Sequence, residues 1–393
     1  MPVAPWKISQ VLRRQIKCFV PLKQFSYDDF RHLTSFYCSG ASGRLAQRFT
    51  QTLVNRPTIA DLAKAAGVSL ATVDRVLNRR LPVSADTAQR VVSAAEAIGY
   101  HATGLLKRRL IETPTRRFGF LLQKREDAFY AALGQELAQA TTSSSEVNGK
   151  AVVDFSEELV PQTIAARLEA MAEKCDALAV VAVDHPHVSD AIQRVTQKGK
   201  PVFTLLSDVA RSSRRAYLAV DSRRAGRTAA WTIARMAEHP GKVGILVGSH
   251  RYLSQDLAEI SFRGYMREYS PDLQLLESNI ILDDSRIAYE AVIQMLQTSP
   301  NLVGIYDCGG GREGLVRALR DESAAERVVT VCNELTTTTK AALIDGVLDM
   351  VLATPIGVLS AQTVSYMIAA CDGSRDIPDQ TLLPADIFIS ENI

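Results

Sequence analysis

Arg75 lies in Ser69-Leu-Ala-Thr-Val-Asp-Arg75, a stretch that restarts a helix after a break at Gly67. A guanidinium on a helix whose leading residues are short can reach a base edge in a major groove, or a phosphate. A second polar group sits at the ends of apolar runs: Asp307 in Asp307-Cys-Gly-Gly-Gly311 and Glu334 in Asn333-Glu-Leu-Thr336. Gly309, Gly311 and Gly314 also spell a dinucleotide-type Gly-x-Gly-x-x-Gly, with Glu334 twenty residues beyond Gly314. That pattern is short and follows eight strand-like runs, so a nicotinamide enzyme is the remote reading. His185 and His187 flank Pro186 with no acid or nucleophile at a useful spacing, and read as a loop near a cleft. The six cysteines (18, 38, 175, 308, 332, 371) lack CxxC or Cys/His ligand spacing. They argue for a reducing compartment and against a disulfide framework. We expect no enzyme, no metal and no cofactor.

The elements around Arg75 are legible. Thr58 precedes an apolar-periodic run as an N-cap, with Asp61 placed for a capping box and Gly67 as the stop. Ser69 caps a second helix over 70–78, and Ser84 a third that runs to Ile98 and ends at Gly99. Ala63, Val68, Val73, Leu77, Val91, Ala95 and Ile98 fall where three small helices share a core. Helix, glycine turn, helix is the spacing of a helix-turn-helix, and the small Ala63, Ala66 and Gly67 let the two helices cross closely.

Beyond residue 117, strand-like runs alternate with helix-like ones. The strands fall at 118–122, 151–155, 177–183, 201–206, 217–220, 243–247, 279–282, 302–306, 328–331 and 350–353. Continuous apolar runs of this length are strands buried on both faces, as in parallel α/β sheets. Ten strands exceed one comfortable doubly wound sheet, so two lobes are expected, with a ligand at the strands' carboxyl ends.

The 393 residues carry a net charge of +2 that hides an asymmetry: residues 1–117 hold 19 Lys/Arg against 7 Asp/Glu, and the remainder 26 against 36. A basic head on an acidic body fits a head that meets a polyanion. No apolar run approaches the ~20 residues of a membrane span. The N-terminus lacks signal-peptide order, since Lys17 and Cys18 interrupt its apolar stretch. The expected compartment is therefore the cytoplasm, associated with the nucleoid, with no membrane partner.

The segments 58–78, Val83-Ser-Ala-Asp-Thr-Ala-Gln-Arg-Val and Ala97-Ile-Gly-Tyr100 closely resemble the headpiece of the lactose/galactose repressor (LacI) family. From residue 118 on, the chain resembles the sugar-binding domain of the same family. The resemblance implies an all-α helix-turn-helix headpiece joined to an α/β effector domain of two doubly wound parallel-sheet lobes, of periplasmic-binding-protein type I. The domains expected are a disordered extension or start-site artefact (1–55), the headpiece (56–101), a hinge (102–117) and the body (118–393). Lobe 1 would comprise 118–220 and 355–378, and lobe 2 221–354 and 379–393.

The resemblance assigns base reading to Leu70, Ala71 and Arg75, and phosphate contact or capping to Thr58, Ser69, Thr72, Asn78, Ser84 and Thr87. Asp74 stands where the family usually has serine; phosphate would repel it, so it should turn to Arg75 or a base amino group. The hinge lacks the family's Pro and Asn, and Leu106 or Leu110 would be the minor-groove wedge, flanked by Lys107 and Arg108. Asp127, Phe129 and Tyr130 resemble an Asn-Pro-Phe-Phe loop whose aromatics stack on sugars. With Ser207, Asp208, Asp221, Arg263, Asp307 and Glu334 they make the expected effector site, carboxylates pairing vicinal hydroxyls. Asp221 could instead cap a helix and Phe129 could be core. Ala353 replaces a glutamine that often contacts sugar, so a simple hexose or pentose is not assumed.

The function implied is a sequence-specific transcription regulator, a repressor by expectation, acting as a homodimer on double-stranded operator DNA under a sugar-like effector. The alternative is a solute-binding protein for a transporter or sensor, which would require export. Residues 385–390 read as strand, which disfavours a tetramer held by a terminal coiled coil.

Overall fold

The computed structural model describes residues 57–78, 83, 85–101, 103 and 114–393, the side chains of Asn78 and Ala85 excepted. The expected extension 1–55 and most of the hinge, with Leu106, Lys107, Arg108 and Leu110, lie outside the described residues, as do Ser84 and the side chain of Asn78. The chain divides into two compact units, residues 1–106 and 107–393.

The first unit holds α1 (Ile59–Ala66), α2 (Leu70–Asn78) and α3 (Ala85–Ala97). Thr58 and Asp61 form a reciprocal capping box: Thr58 Oγ1 accepts from Asp61 N at 3.3 Å, and Thr58 N donates to Asp61 Oδ2 at 2.9 Å. Gly67 ends α1 at φ 63°, a left-handed conformation that costs glycine little. Ser69 Oγ then accepts from Thr72 N at 3.1 Å and starts α2. Leu62, Val73, Val91 and Ala95 are fully buried between the helices, with Val76, Val92 and Tyr100 beside them. Val68, Leu77 and Ile98, expected in the core, are only half-buried. Thr58→Ala should destabilise α1 by about 1 kcal/mol, seen as faster hydrogen exchange at Asp61 and Leu62. Unchanged exchange there would contradict the capping role.

The second unit contains two parallel sheets. The first has the order β12-β5-β4-β3-β1-β2, built from β1 (Thr115–Gln123), β2 (Asn148–Ser156), β3 (Ala177–Val180), β4 (Val202–Leu205), β5 (Ala216–Val220) and β12 (Gln380–Leu383). The helices α4 (Ala128–Ser143), α5 (Pro161–Ala172), α6 (Pro186–Gln197) and α12 (Ile356–Cys371) cover it. The second sheet runs β13-β11-β10-β9-β6-β7, from β6 (Lys242–Val247), β7 (Gln274–Leu275), β9 (Leu302–Asp307), β10 (Val329–Asn333), β11 (Met350–Ala353) and β13 (Asp386–Phe388). β8 (Asn279–Ile280) also pairs with β6. Its helices are α7 (Ser222–Met236), α8 (Leu253–Tyr269), α9 (Ser285–Thr298), α10 (Arg312–Asp321) and α11 (Thr337–Ile344). Every pairing is parallel except β11 with β13.

The central strands β3 and β4 are buried at every position, which is why they read as unbroken apolar runs. Edge strand β12 alternates exposed and half-buried residues and escaped that signal. It pairs with β5 in lobe 1, whereas residues from 379 on were expected in lobe 2. The last crossing between lobes therefore falls between Leu383 and Asp386, beside a hydrogen bond from Asp221 N to Leu383 O at 2.9 Å.

Candidate functional site

In the headpiece, α2 turns Val73 and Val76 inward, and the residues one helical step round, Leu70, Ala71 and Arg75, outward. Leu70 is 56% exposed, unusual for a leucine that opens a helix in so small a unit. Positions 70, 71 and 75 share one helix face by the 3.6 period, so the three residues assigned to base reading stand together. Thr58 and Ser69 cap helices, Thr72 Oγ1 lies 2.9 Å from Ser69 Oγ, and Thr87 is half-buried on α3.

In the body, a cavity with about 110 Å³ of room for the centres of water molecules lies between the sheets' carboxyl ends. Of the nine residues expected there, Asp127, Phe129, Tyr130, Ser207 and Glu334 line it. Phe129 is also part of the core of lobe 1 and meets Tyr130 edge-on at 5.2 Å.

The other four are placed differently, each for a physical reason. Asp208 does not line the cavity: it pairs with the fully buried side chain of Arg214, whose Nε and Nη2 donate to its two carboxylate oxygens at 2.5 and 2.8 Å. Asp221 caps α7, accepting from Arg224 N at 3.1 Å. Arg263 donates to Glu259, to Leu276 O and to Ser278. Asp307 sits behind the lining with its Oδ1 accepting from Gly309 N at 2.9 Å and no partner on its buried Oδ2. Asp208→Ala should leave the Arg214 charge buried and half-paired, at a cost of about 3–5 kcal/mol. Chemical denaturation checks this, and a loss below about 1 kcal/mol would show that solvent or Asp379 carries the pair.

Asn333, expected at a strand end facing the cleft, also lines it, and polar lining residues not anticipated include Tyr252, Gln255, Asp283, Arg312 and Thr354. Arg312 opens α10 in lobe 2, and its Nη2 donates to both oxygens of Asp127, the N-cap of α4 in lobe 1, at 2.6 and 2.7 Å. Its side chain is 3% exposed. Burial works against its charge, but Asp127, Glu313, Glu334 and Asp307 more than offset that and hold it firmly protonated. A second bond between lobes runs from Lys124 Nζ to Leu282 O and Asp283 O, at 3.0 and 2.8 Å. Tyr252, at the start of α8, is buried against the core of lobe 1.

Asp283 accepts from Gly310 N at 2.7 Å, and Glu334 from Thr354 N and Oγ1 at 2.8 and 2.7 Å. Burial raises both carboxyls above their ordinary values, despite these bonds. Leu282, Asp283 and Glu334 hold φ of 51°, 50° and 70°, a region that costs an L residue roughly 1–2 kcal/mol. Burial also raises the Tyr130 hydroxyl, with Asp283, Asp127 and Glu334 adding to it.

Asp307 is pushed up to about 7, by burial first. A carboxyl whose folded-state value is raised favours folding most below its unfolded value near 4, and that contribution is lost as pH rises through 7. Asp307→Asn should remove this loss and gain on the order of a few kcal/mol at pH 8 relative to the parent. Urea midpoints across pH 4–8 test it; parallel curves for the two proteins would contradict it.

The glycine pattern at 309–314 serves packing. A Cβ on Gly311 would fall 2.3 Å from Ile281 Cδ1, and one on Gly314 1.9 Å from Ser285 O, so these glycines let α9 press on α10. Arg312 occupies the start of the helix where a pyrophosphate would lie. His185 caps α6, its Nδ1 accepting from His187 N at 3.2 Å.

Residues 118–375 match the profile of the family described as "Periplasmic binding protein domain", and residues 58–103 that of "Bacterial regulatory proteins, lacI family". Similar curated proteins include the HTH-type transcriptional regulator MalR of Streptococcus pneumoniae, 42% identical over 73 residues, or 19% of this chain and 22% of MalR. An uncharacterized HTH-type transcriptional regulator of Streptomyces limosus is 28% identical over 209 residues, 50% of this chain and 54% of its own. The matches to MalR thus span about a fifth of that protein's length. Among solved structures, a solute-binding protein of a Burkholderia graminis ABC transporter, in complex with D-arabinose, superposes with TM-score 0.66 at 18% identity. It covers 71% of this chain and 97% of that one. One from Agrobacterium vitis bound to α-D-tagatopyranose gives 0.65 at 18%, covering 70% and 95%.

Proposed function

The chain belongs to the lacI family of bacterial regulatory proteins, its body being a periplasmic binding protein domain, and on that premise we propose that it regulates transcription by binding operator DNA. The observation that carries this is the outward face of α2, where Leu70, Ala71 and Arg75 stand exposed on a capped helix-turn-helix in the basic part of the chain. In this reading these three read bases, and Thr72 and the capping residues meet phosphates; the exposure of that face supports it.

The cavity of the body is the effector site in this reading. Tyr130 and Phe129 offer ring surface, and Asp127, Arg312, Gln255 and Asn333 offer hydrogen bonds to a polyhydroxylated ligand. Relatives of the body's fold carry bound monosaccharides, which favours a sugar-like effector. Effector binding changes the angle between lobes, and in a homodimer that displaces the paired headpieces on the DNA. A few kcal/mol of differential affinity suffices.

A regulator of this kind works in the cytoplasm, without enzymatic turnover. Among the described residues no helix is long and apolar enough to cross a membrane. A solute-binding protein would need only the body, and the helix-turn-helix would then have no task. Footprinting on the DNA upstream of the chain's own gene tests the dimeric reading. Two protected half-sites about one helical turn apart, ~10 bp, are expected. A single unpaired footprint would overturn the dimer.

A further inference from the structure

We propose that the outer face of α7 is a docking surface for an acidic protein segment that carries an apolar anchor side chain. The proposal stands apart from the cavity and from the effector reading.

The helix α7 holds four arginines and no acidic residue, in a body where acids outnumber bases. Its inner side, with Ala225, Ala229, Ala230 and Ile233, packs into the core of lobe 2. By the helical period, Arg223, Arg224, Arg227, Trp231 and Arg235 fall together on the opposite side, and all are exposed. Three features of this face work against the helix standing alone. Arg223 and Arg224 occupy the first turn, where the helix dipole disfavours a cation. Arg223 and Arg227 stand at the i, i+4 spacing at which like charges weaken a helix. Trp231 leaves 48% of its surface in water. Among the described residues, Arg224 meets Asp221 at 3.3 Å and Arg227 meets Glu268 at 4.0 Å, but no carboxylate lies within ion-pair distance of Arg223 or Arg235. The adjoining α8 adds Tyr265 and Tyr269, whose ring centres lie 5.1 and 5.8 Å from the Arg227 guanidinium and hold it in place. Exposed Trp, Tyr and Arg side by side are the composition that anchors protein interfaces.

Charge selects the occupant. Carboxylates on a partner neutralise the arginine row, and an apolar side chain between them covers Trp231. A second copy joined about a two-fold axis would lay this face on itself, arginine against arginine. Single-stranded nucleic acid would need open rings on which to stack its bases, and Arg227 already occupies a face of Tyr265 and of Tyr269.

Trp231 can report on its own surface, since Trp6 is the only other tryptophan of the chain. The test follows Trp231 emission in the full chain carrying Trp6→Phe. The probes are a Glu-rich peptide with a central Leu-Phe pair, the same peptide with Ser-Ser in place of that pair, a Lys-rich counterpart, and single- and double-stranded DNA of random sequence. We expect the anchored acidic peptide to shift the emission to the blue and to saturate, with the Ser-Ser peptide weaker and the Lys-rich one inert. Arg223→Glu combined with Arg235→Glu should weaken the anchored peptide by more than about tenfold at an unchanged melting temperature. The Arg→Gln pair at the same positions stands in if the reversal does not fold. No shift with the acidic peptide, or a shift that the arginine variants leave intact, would overturn the proposal. An equal or larger shift with either DNA would make the face a phosphate site, and a shift that grows with protein concentration alone would assign it to a second copy; each overturns it as well.

Discussion

Arg312→Met should cost the body about 3–5 kcal/mol of stability. The guanidinium is nearly inaccessible, and its removal leaves the Asp127 carboxylate between the lobes with only Phe129 N still donating to it. A methionine of similar length keeps the packing, so the loss reports the charge. Adding Asp127→Asn in the same chain should recover much of the loss, because the stranded carboxylate is then gone while the amide oxygen still caps α4. Denaturant midpoints of the two single variants and the double give the coupling directly. Because the pair joins an N-cap of lobe 1 to the first residue of α10 in lobe 2, Arg312→Met should also enlarge the radius of gyration in solution scattering. A loss below about 1 kcal/mol with no recovery in the double would mean the pair is solvated and holds nothing.

Arg75→Ala is the second large effect, and it falls on recognition instead of stability. Arg75 is exposed on α2 at a position that packs against nothing in the headpiece core, so its truncation leaves Leu62, Val73 and Val91 undisturbed. The expected cost is about 1–3 kcal/mol on the cognate site and much less on random duplex. An equal loss on both would make Arg75 a phosphate contact and leave base choice to other residues.

The sequence was most readable where structure is set by neighbours along the chain. Thr58, Asp61, Gly67 and Ser69 act within four residues of themselves, and their caps are where the pattern placed them. The central strands were readable because burial on both faces leaves no polar alternation to interpret. The edge strand β12 and the short β7 carry no such run, and β12's neighbour is more than 150 residues away in sequence.

The cleft was half legible. Ser207 lines it and Asp208 does not, since the chain bends after β4 and Arg214 claims the second one. Arg312 was hidden within a glycine motif that suggested phosphate binding, and its true partner Asp127 lies 185 residues earlier. Asp283 follows an apolar run with nothing to mark it; only its place opposite Gly310 brings it to the cavity. Contacts of that range follow from how the sheets are wound, which no local spacing encodes.

The most direct test is a fluorescence anisotropy titration of the full chain. Two duplexes of equal length would be used, one from the DNA upstream of its own gene and one of scrambled sequence, over a series of salt concentrations. The account predicts that the first binds at least about a thousandfold more tightly, and that both affinities fall linearly on a log–log plot against salt as counterions return to the phosphates. Indistinguishable affinities for the two duplexes, or a response flat in salt, would contradict it.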